Sequence, residues 1–263
     1  MGAPVRSWVF RIALSIAALA FVAAMGGLDA PLWVRATAVA GAGAVAAWIA
    51  VRFVPAFDPL GRLRWRLPRR GTAKVCAITF DDGPSESTPA VLDILAAERV
   101  PATFFVLGTH VQRFPDVVRR AHAEGHAVGL HGMDHAKLAG APERTIERQV
   151  SDATDVLERA GVTPAPVYRT PHGFKSSRVF SVARRRGLTV WAWTRGVWDT
   201  DRPAASVLVR RATRLARSGM VLLLHDGRGD ELHPDVRPML SALPAILREL
   251  KRQGFVFVRL ADV

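Results

Sequence analysis

The chain has 263 residues, 49% of them hydrophobic, enough for one generous domain plus an appendage, so disorder is not the default. Its net charge of +13 arises with only 22% charged residues, and nine of the 36 Lys and Arg precede residue 71, opposed there by Asp29 and Asp58 alone. Without an aromatic-interleaved basic stripe or a recognition motif, such basicity reads as a membrane flank or an arginine-rich background, and no nucleic-acid partner is expected. The single cysteine, Cys76, excludes a disulfide framework and reads as a buried thiol.

Two uncharged apolar runs come first, Ile12–Leu28 and Ala36–Val51, of about 17 and 16 residues, near the lower limit for a bilayer span. With Trp8, Trp33 and Trp48 near their ends, they predict a membrane segment over 1–56, a hairpin of two transmembrane helices in contact with membrane lipid. A single span, a cleaved secretory leader and two Ala-rich soluble helices are the competing readings. Arg6 and Arg11 before the first run and six Arg from Arg52 to Arg70 after the second favour cytoplasmic ends. The expectation is an integral plasma-membrane protein whose second domain faces the cytoplasm rather than the exterior. Residues 57–71, with two Pro, two Gly and a run of Arg, read as a basic linker.

From 72 to 263 short β-rich runs alternate with segments of helical period. The strands are expected at Lys74–Phe80, Ala102–Gly108, His126–His131, Val167–Arg169, Leu188–Trp193, Met220–His225 and Phe255–Leu260. The helices are expected at Ser87–Arg99, Phe114–Glu124, Thr145–Ala160, Ser176–Arg186, Ala204–Ser218 and Arg237–Gln253. This alternation predicts an α/β fold with parallel strands, an irregular (β/α) barrel of about seven strands, with an open doubly wound sheet as the alternative.

Polar residues gather where those strands end: Asp81 and Asp82, His131, Arg169, Asp199 beyond the fifth strand, then His225 and Asp226. Each has an ordinary reading alone, as a helix cap, a surface charge or a satisfied core histidine. Their coincidence on one rim points instead to a site at the C-terminal mouth of a barrel. His131 and His135, four residues apart, with Asp82, make a two-histidine, one-carboxylate set suited to zinc or another divalent metal.

In order, these residues resemble the polysaccharide deacetylases, the NodB-homology domains of carbohydrate esterase family four. Thr79-Phe-Asp-Asp-Gly-Pro84 is similar to the family's first motif, which implies Asp81 as base and Asp82 as metal ligand. His131 and His135 match the second motif's metal ligands, and Arg169-Thr-Pro-His-Gly173 resembles the third, whose Arg orients the base. Asp199 matches the Asp that tunes the acid, with Asp201 a competing candidate, and Leu223-Leu-His225 matches the fifth motif, whose His is the general acid. The resemblance further implies substrate contacts at His172, through a backbone N–H, and at Leu223. Thr200 stands where the family commonly has Trp, so Trp193 or Trp198 is expected to supply the apolar acyl wall. Gly132 replaces the Ser or Thr that follows the first ligand His, and the loop hydrogen bond of that hydroxyl is expected to be missing. The implied activity is metal-dependent hydrolysis of the N-acyl, chiefly N-acetyl, amide of an amino sugar in a cell-envelope glycan or lipid-linked precursor. The implied partner is an N-acylated glycan or glycolipid, and the implied cofactor is zinc, with cobalt, manganese or nickel as alternatives. A deformylase or other deacylase acting on a small or lipid-linked amide, and a non-catalytic glycan-binding module, remain the rival readings.

Overall fold

The computed structural model describes residues 31–53, 62–68, 71–138, 140–231 and 233–263. Two compact units divide the chain, Met1–Pro59 and Leu60–Val263.

In the first unit the described element is a 22-residue helix, α1 (Leu32–Phe53), with Leu32 and Trp33 exposed. The expected membrane hairpin, and with it the expected placement as an integral membrane protein, is corrected here: among the described residues no helix is long and apolar enough to cross a membrane. Between Arg35 and Arg52, α1 offers sixteen residues dominated by Ala and Gly. They rise about 24 Å, short of the roughly 30 Å hydrocarbon core. The first apolar run, Ile12–Leu28, lies outside the described residues.

The second unit is a parallel-strand α/β half-barrel. Its strands are β1 (Leu63–Arg64), β2 (Lys74–Gly83), β3 (Thr103–Val106), β4 (Ala127–Leu130), β5 (Val167–Tyr168), β6 (Thr189–Trp191), β7 (Arg195–Gly196), β8 (Met220–His225) and β9 (Phe255–Phe257). They pair in the order β1-β6-β5-β4-β3-β2-β8-β7, with β9 also on β2, and every pairing is parallel. The seven expected strands all occur. The structure adds β1, inside the stretch read as linker, and β7. Only three residues, Ala192–Thr194, separate β6 on one flank from β7 on the other, so one continuous segment touches both flanks of the half-barrel.

The helices are α2 (Thr88–Ala97), α3 (Gly108–Arg113), α4 (Pro115–Ala123), α5 (Glu143–Arg159), α6 (Ser177–Arg185), α7 (Ala205–Thr213) and α8 (Arg237–Arg252). Of these, α3 was not expected. Their apolar stripes, such as Ile146, Val150, Ala153 and Leu157 on α5, pack into a large core with Cys76, Ile78 and Phe80 of β2.

β2 is buried from Val75 onward on both faces, hence its continuous apolar run. Its alternate residues Val75 and Ala77 join a second, smaller core with Phe105, Val167, Trp191 and Val221. Strand periodicity carries that inner face on to Thr79 and Asp81. The interior is therefore apolar low down and polar at the C-terminal mouth.

Candidate active site

Two consecutive residues of a strand point to opposite faces, so Asp81 and Asp82 could not both face one mouth on a regular β2. The β2–β3 register slips by one residue there, pairing Asp81 with Phe105 and Gly83 with Val106, and Asp82 adopts a φ of 70°. This bulge, rather than the following Gly83-Pro84 alone, turns Asp82 toward the side of the mouth that Asp81 reaches by strand direction. Asp82, His135, His172 and Trp198 are four of the seven described non-glycine residues with positive φ, so backbone strain concentrates at this mouth.

Asp81, buried, meets the buried guanidinium of Arg169 at the end of β5. Arg169 Nη1 donates to Asp81 Oδ1 at 2.6 Å and to Thr79 Oγ1 at 2.8 Å, and Nη2 donates to the Ala192 carbonyl at 2.9 Å. The guanidinium lies 4.1 Å from the ring centre of Phe105. Every contact holds Asp81 in one orientation, and removing Arg169 would strand a buried carboxylate at a cost of about 3–5 kcal/mol.

Asp82 Oδ1 lies 3.2 Å from Nε2 of both His131 and His135. That oxygen is fully buried with no donor in hydrogen-bonding geometry, while Oδ2 accepts the Gly229 N–H at 2.8 Å. Burial opposes ionisation of Asp82, but the two imidazoles beside it hold its carboxyl well below the usual range. His131 Nδ1 lies 2.7 Å from the Arg169 carbonyl, which can only accept, so Nδ1 carries a proton and Nε2 is the nitrogen turned toward Asp82. One donor atom from each of Asp82, His131 and His135 lies within 4.8 Å of the others. Two imidazole nitrogens and one orphaned carboxylate oxygen converging on a point suit a divalent cation with open coordination positions.

Across the β2–β8 ladder Asp81 pairs with His225. Asp199 grips His225 twice: Oδ1 accepts from Nδ1 at 2.9 Å and Oδ2 accepts the backbone N–H at 2.7 Å. Burial works to lower the imidazole, but Asp199, helped by Asp82 and Asp81, pushes it up to about 10. Asp201 is exposed, and Asp199 is the one in contact.

The expected substrate contacts are spread more widely. His172, in the turn Pro171–Gly173, packs on His135 with ring centres 4.3 Å apart. Trp193 lies over Gly173, where an added Cβ would come within 2.9 Å of its ring, and 5.8 Å from the Arg169 guanidinium. Leu223 is buried on β8 opposite Gly196, whereas Trp198 is 49% exposed.

Two supporting residues, His110 and Gly227, had no sequence signal. Buried His110, from α3, lies with Nδ1 2.9 Å from the Asp82 carbonyl, and burial keeps its imidazole low and neutral. A Cβ at Gly227 would collide with that same carbonyl. Asp226, buried behind His225, accepts from Thr88 Oγ1 at 2.6 Å, and burial raises its carboxyl to about 7. Gly132 brings no hydroxyl, but the loop is bonded after all, through Gln149 of α5, whose Oε1 accepts the Met133 N–H at 2.8 Å.

The family described as polysaccharide deacetylase matches residues 69–191. A peptidoglycan-N-acetylglucosamine deacetylase of Bacillus cereus is 34% identical over 209 residues, covering 78% of this chain and 94% of the relative. The chain belongs to the polysaccharide deacetylase family. It is accordingly a hydrolase acting on N-acetyl amide bonds of sugars. A chitooligosaccharide deacetylase of Sinorhizobium fredii is 37% identical over 198 residues, covering 72% of this chain and 92% of the relative. Among solved structures, a peptidoglycan N-acetylglucosamine deacetylase in complex with 4-naphthalen-1-yl-N-oxidanyl-benzamide superposes with a TM-score of 0.72 at 27% identity, over 78% of this chain and 96% of the other. The matched family segment holds Asp81, Asp82, His131, His135 and Arg169 but ends before Asp199 and His225. The pairing of those two with the rest of this deacetylase mouth rests on their contacts and on the β2–β8 register.

Proposed function

We propose that this polysaccharide deacetylase removes the acetyl group from N-acetylglucosamine units of peptidoglycan or a chitooligosaccharide, using a divalent cation, zinc first, held by Asp82, His131 and His135. The observation that carries the reading is the flanking of that donor set by two ion pairs, Asp81 with Arg169 and His225 with Asp199. The bound cation would supply Lewis acidity to the water and to the acyl carbonyl.

Asp81, held by Arg169, takes one proton from the attacking water as its oxygen bonds to the acyl carbon. A backbone N–H at His172 is assigned to the developing oxyanion. The C–N bond breaks as His225 gives its proton to the departing sugar nitrogen, leaving acetate and a free amine. Ammonia-like nitrogen leaves poorly unless protonated, and an imidazole raised to about 10 is charged at neutral pH and ready to donate. Trp193 and Leu223 are assigned to the acetyl methyl and Trp198 to the sugar ring.

The test is acetate and free-amine release from chitooligosaccharides and from peptidoglycan, with metal-loaded and metal-free protein. Asp81→Asn is expected to abolish turnover while keeping the metal, and His131→Ala to lose the metal. Full activity in verified metal-free protein, or in Asp81→Asn, would overturn the reading.

A further inference from the structure

His131 and His135 are joined by three residues, Gly132, Met133 and Asp134, and the placement of both imidazoles depends on how firmly those residues are held. One side of this loop is bonded by the start of α3: Gly108 N–H donates to the Gly132 carbonyl at 3.0 Å and Thr109 N–H to the Met133 carbonyl at 2.8 Å. The approach is close enough that a Cβ at Gly108 would collide with Met133 Sδ.

The other side is held by one side chain. Gln149 Oε1 accepts the Met133 N–H at 2.8 Å, and its Nε2 donates to Asp134 Oδ1 at 2.9 Å. The same Asp134 oxygen accepts the Ala136 N–H at 3.1 Å, carrying the chain of bonds past His135. Both functions of one amide are thereby satisfied by successive residues of the loop, an orientation that fixes which way the amide points.

Gln149 is a suitable anchor because α5 is itself fixed: Ile146, Val150 and Ala153, its neighbours along the helix, are fully buried. It also fits its target. Gly132 has a φ of 93°, and a Cβ there would press on Gln149 Oε1 at 3.2 Å. The missing side chain at 132 is the space through which Gln149 reaches the Met133 N–H.

We infer that Gln149 is a positioning residue for cation binding, which presets the spacing of the His131 and His135 nitrogens by clamping the loop between them. The inference rests on the reading of Asp82, His131 and His135 as the donor set. Gln149 contacts none of the three donor atoms, so its effect falls on metal affinity rather than on chemistry once the site is filled. Outer residues that orient ligands are typically worth roughly 10-fold to 100-fold in metal affinity.

The test titrates the metal-free full-length chain with Zn2+, and with Co2+ followed by its visible absorption, for the wild type, Gln149→Met, Asp134→Ala and His131→Ala. Gln149→Met keeps the volume and removes both bonds; it is expected to stay folded, to bind about 10-fold or more weakly, and to recover near-wild-type kcat at saturating metal. Asp134→Ala, at an exposed position, keeps the Met133 bond and is expected to lose a smaller factor. If wild type and Gln149→Met bind equally while His131→Ala binds nothing, the inference falls and the donor reading stands. A wild-type chain that takes up no cation overturns both. Should Gln149→Met not fold, Asp134→Ala decides, and wild-type affinity there overturns the clamp.

Discussion

Asp199→Asn removes the charge that tunes His225 with little change of shape: the amide oxygen can still accept the backbone N–H of His225, while the NH2 that takes the place of Oδ1 meets Nδ1 as a donor. In the native protein burial pulls the imidazole down, and the negative charge of Asp199, with Asp82 and Asp81, more than reverses it, to about 10. A cation held as proposed would oppose those charges, so the alkaline limb of the wild-type pH profile is expected at or below about 10. Without the Asp199 charge burial is opposed only by Asp82 and Asp81, and the imidazole is expected to fall to about its ordinary value of 6.5. At about pH 7.5 no more than roughly a tenth of the variant then holds the proton that the leaving nitrogen needs, and at about pH 8.5 roughly a hundredth. The expected result is kcat/KM reduced about tenfold at the first pH and about a hundredfold at the second, with activity partly regained in mild acid. The assay is acetate release against pH at saturating metal, with Asp199→Ala as a shape control. A uniform loss at every pH, leaving the alkaline limb where the wild type has it, would refute the tuning role and reduce Asp199 to a structural support.

Asp226→Asn probes the buried acid behind the site. Burial raises this carboxyl from 3.8 unfolded to about 7 folded, so the native state holds an extra proton between those values, and its stability falls as pH rises through that window. Asn carries no such penalty: its advantage over wild type should be absent near pH 4 and approach at most about 4 kcal/mol above pH 7. Urea denaturation across that range measures it, and a pH-independent difference would contradict the assignment. Gly227→Ala drives a Cβ into the Asp82 carbonyl, which must then move with its side chain. Metal titration should show affinity weakened about tenfold or more with the circular dichroism spectrum retained. Cys76 is fully buried and burial pushes its thiol up to about 12, so a thiol reagent should find one group in denaturant and none in the native protein; rapid native labelling would contradict its place in β2.

The strands that sequence reading located are those whose signal is local. β2 and β8 announce themselves as apolar runs because they are buried on both faces, and the polar residues at their ends stand out against that background. β1 and β7 are two residues each and exist only through distant partners, Leu63 with Val190 and Arg195 with Leu222, so nothing in their own neighbourhood marks them as strand. Gly108 reads as the last residue of the expected strand Ala102–Gly108; here the strand ends at Val106 and Gly108 opens α3, where its missing side chain serves contact with Met133. The apolar run from Ala36 to Val51 misled for a related reason, since Ala and Gly keep a segment free of charge without making it long or apolar enough to span.

The same division runs through the site. Carboxylates, imidazoles and a guanidinium are legible because their chemistry differs from that of the strands they terminate, and strand direction delivers them to one mouth. What orients them is carried by groups with no distinguishing chemistry: the Gly229 N–H reaches Asp82 from 147 residues away, the Ala192 carbonyl holds Arg169, and Gln149 reaches a loop 16 residues before it. Such groups act through backbone position, which depends on register, and the bulge at Asp82 is a register event. A slip of one residue decides whether two adjacent aspartates face one mouth or opposite faces, and composition is blind to it. The groups proposed to react can therefore be read as letters, whereas the precision with which they are held belongs to the fold.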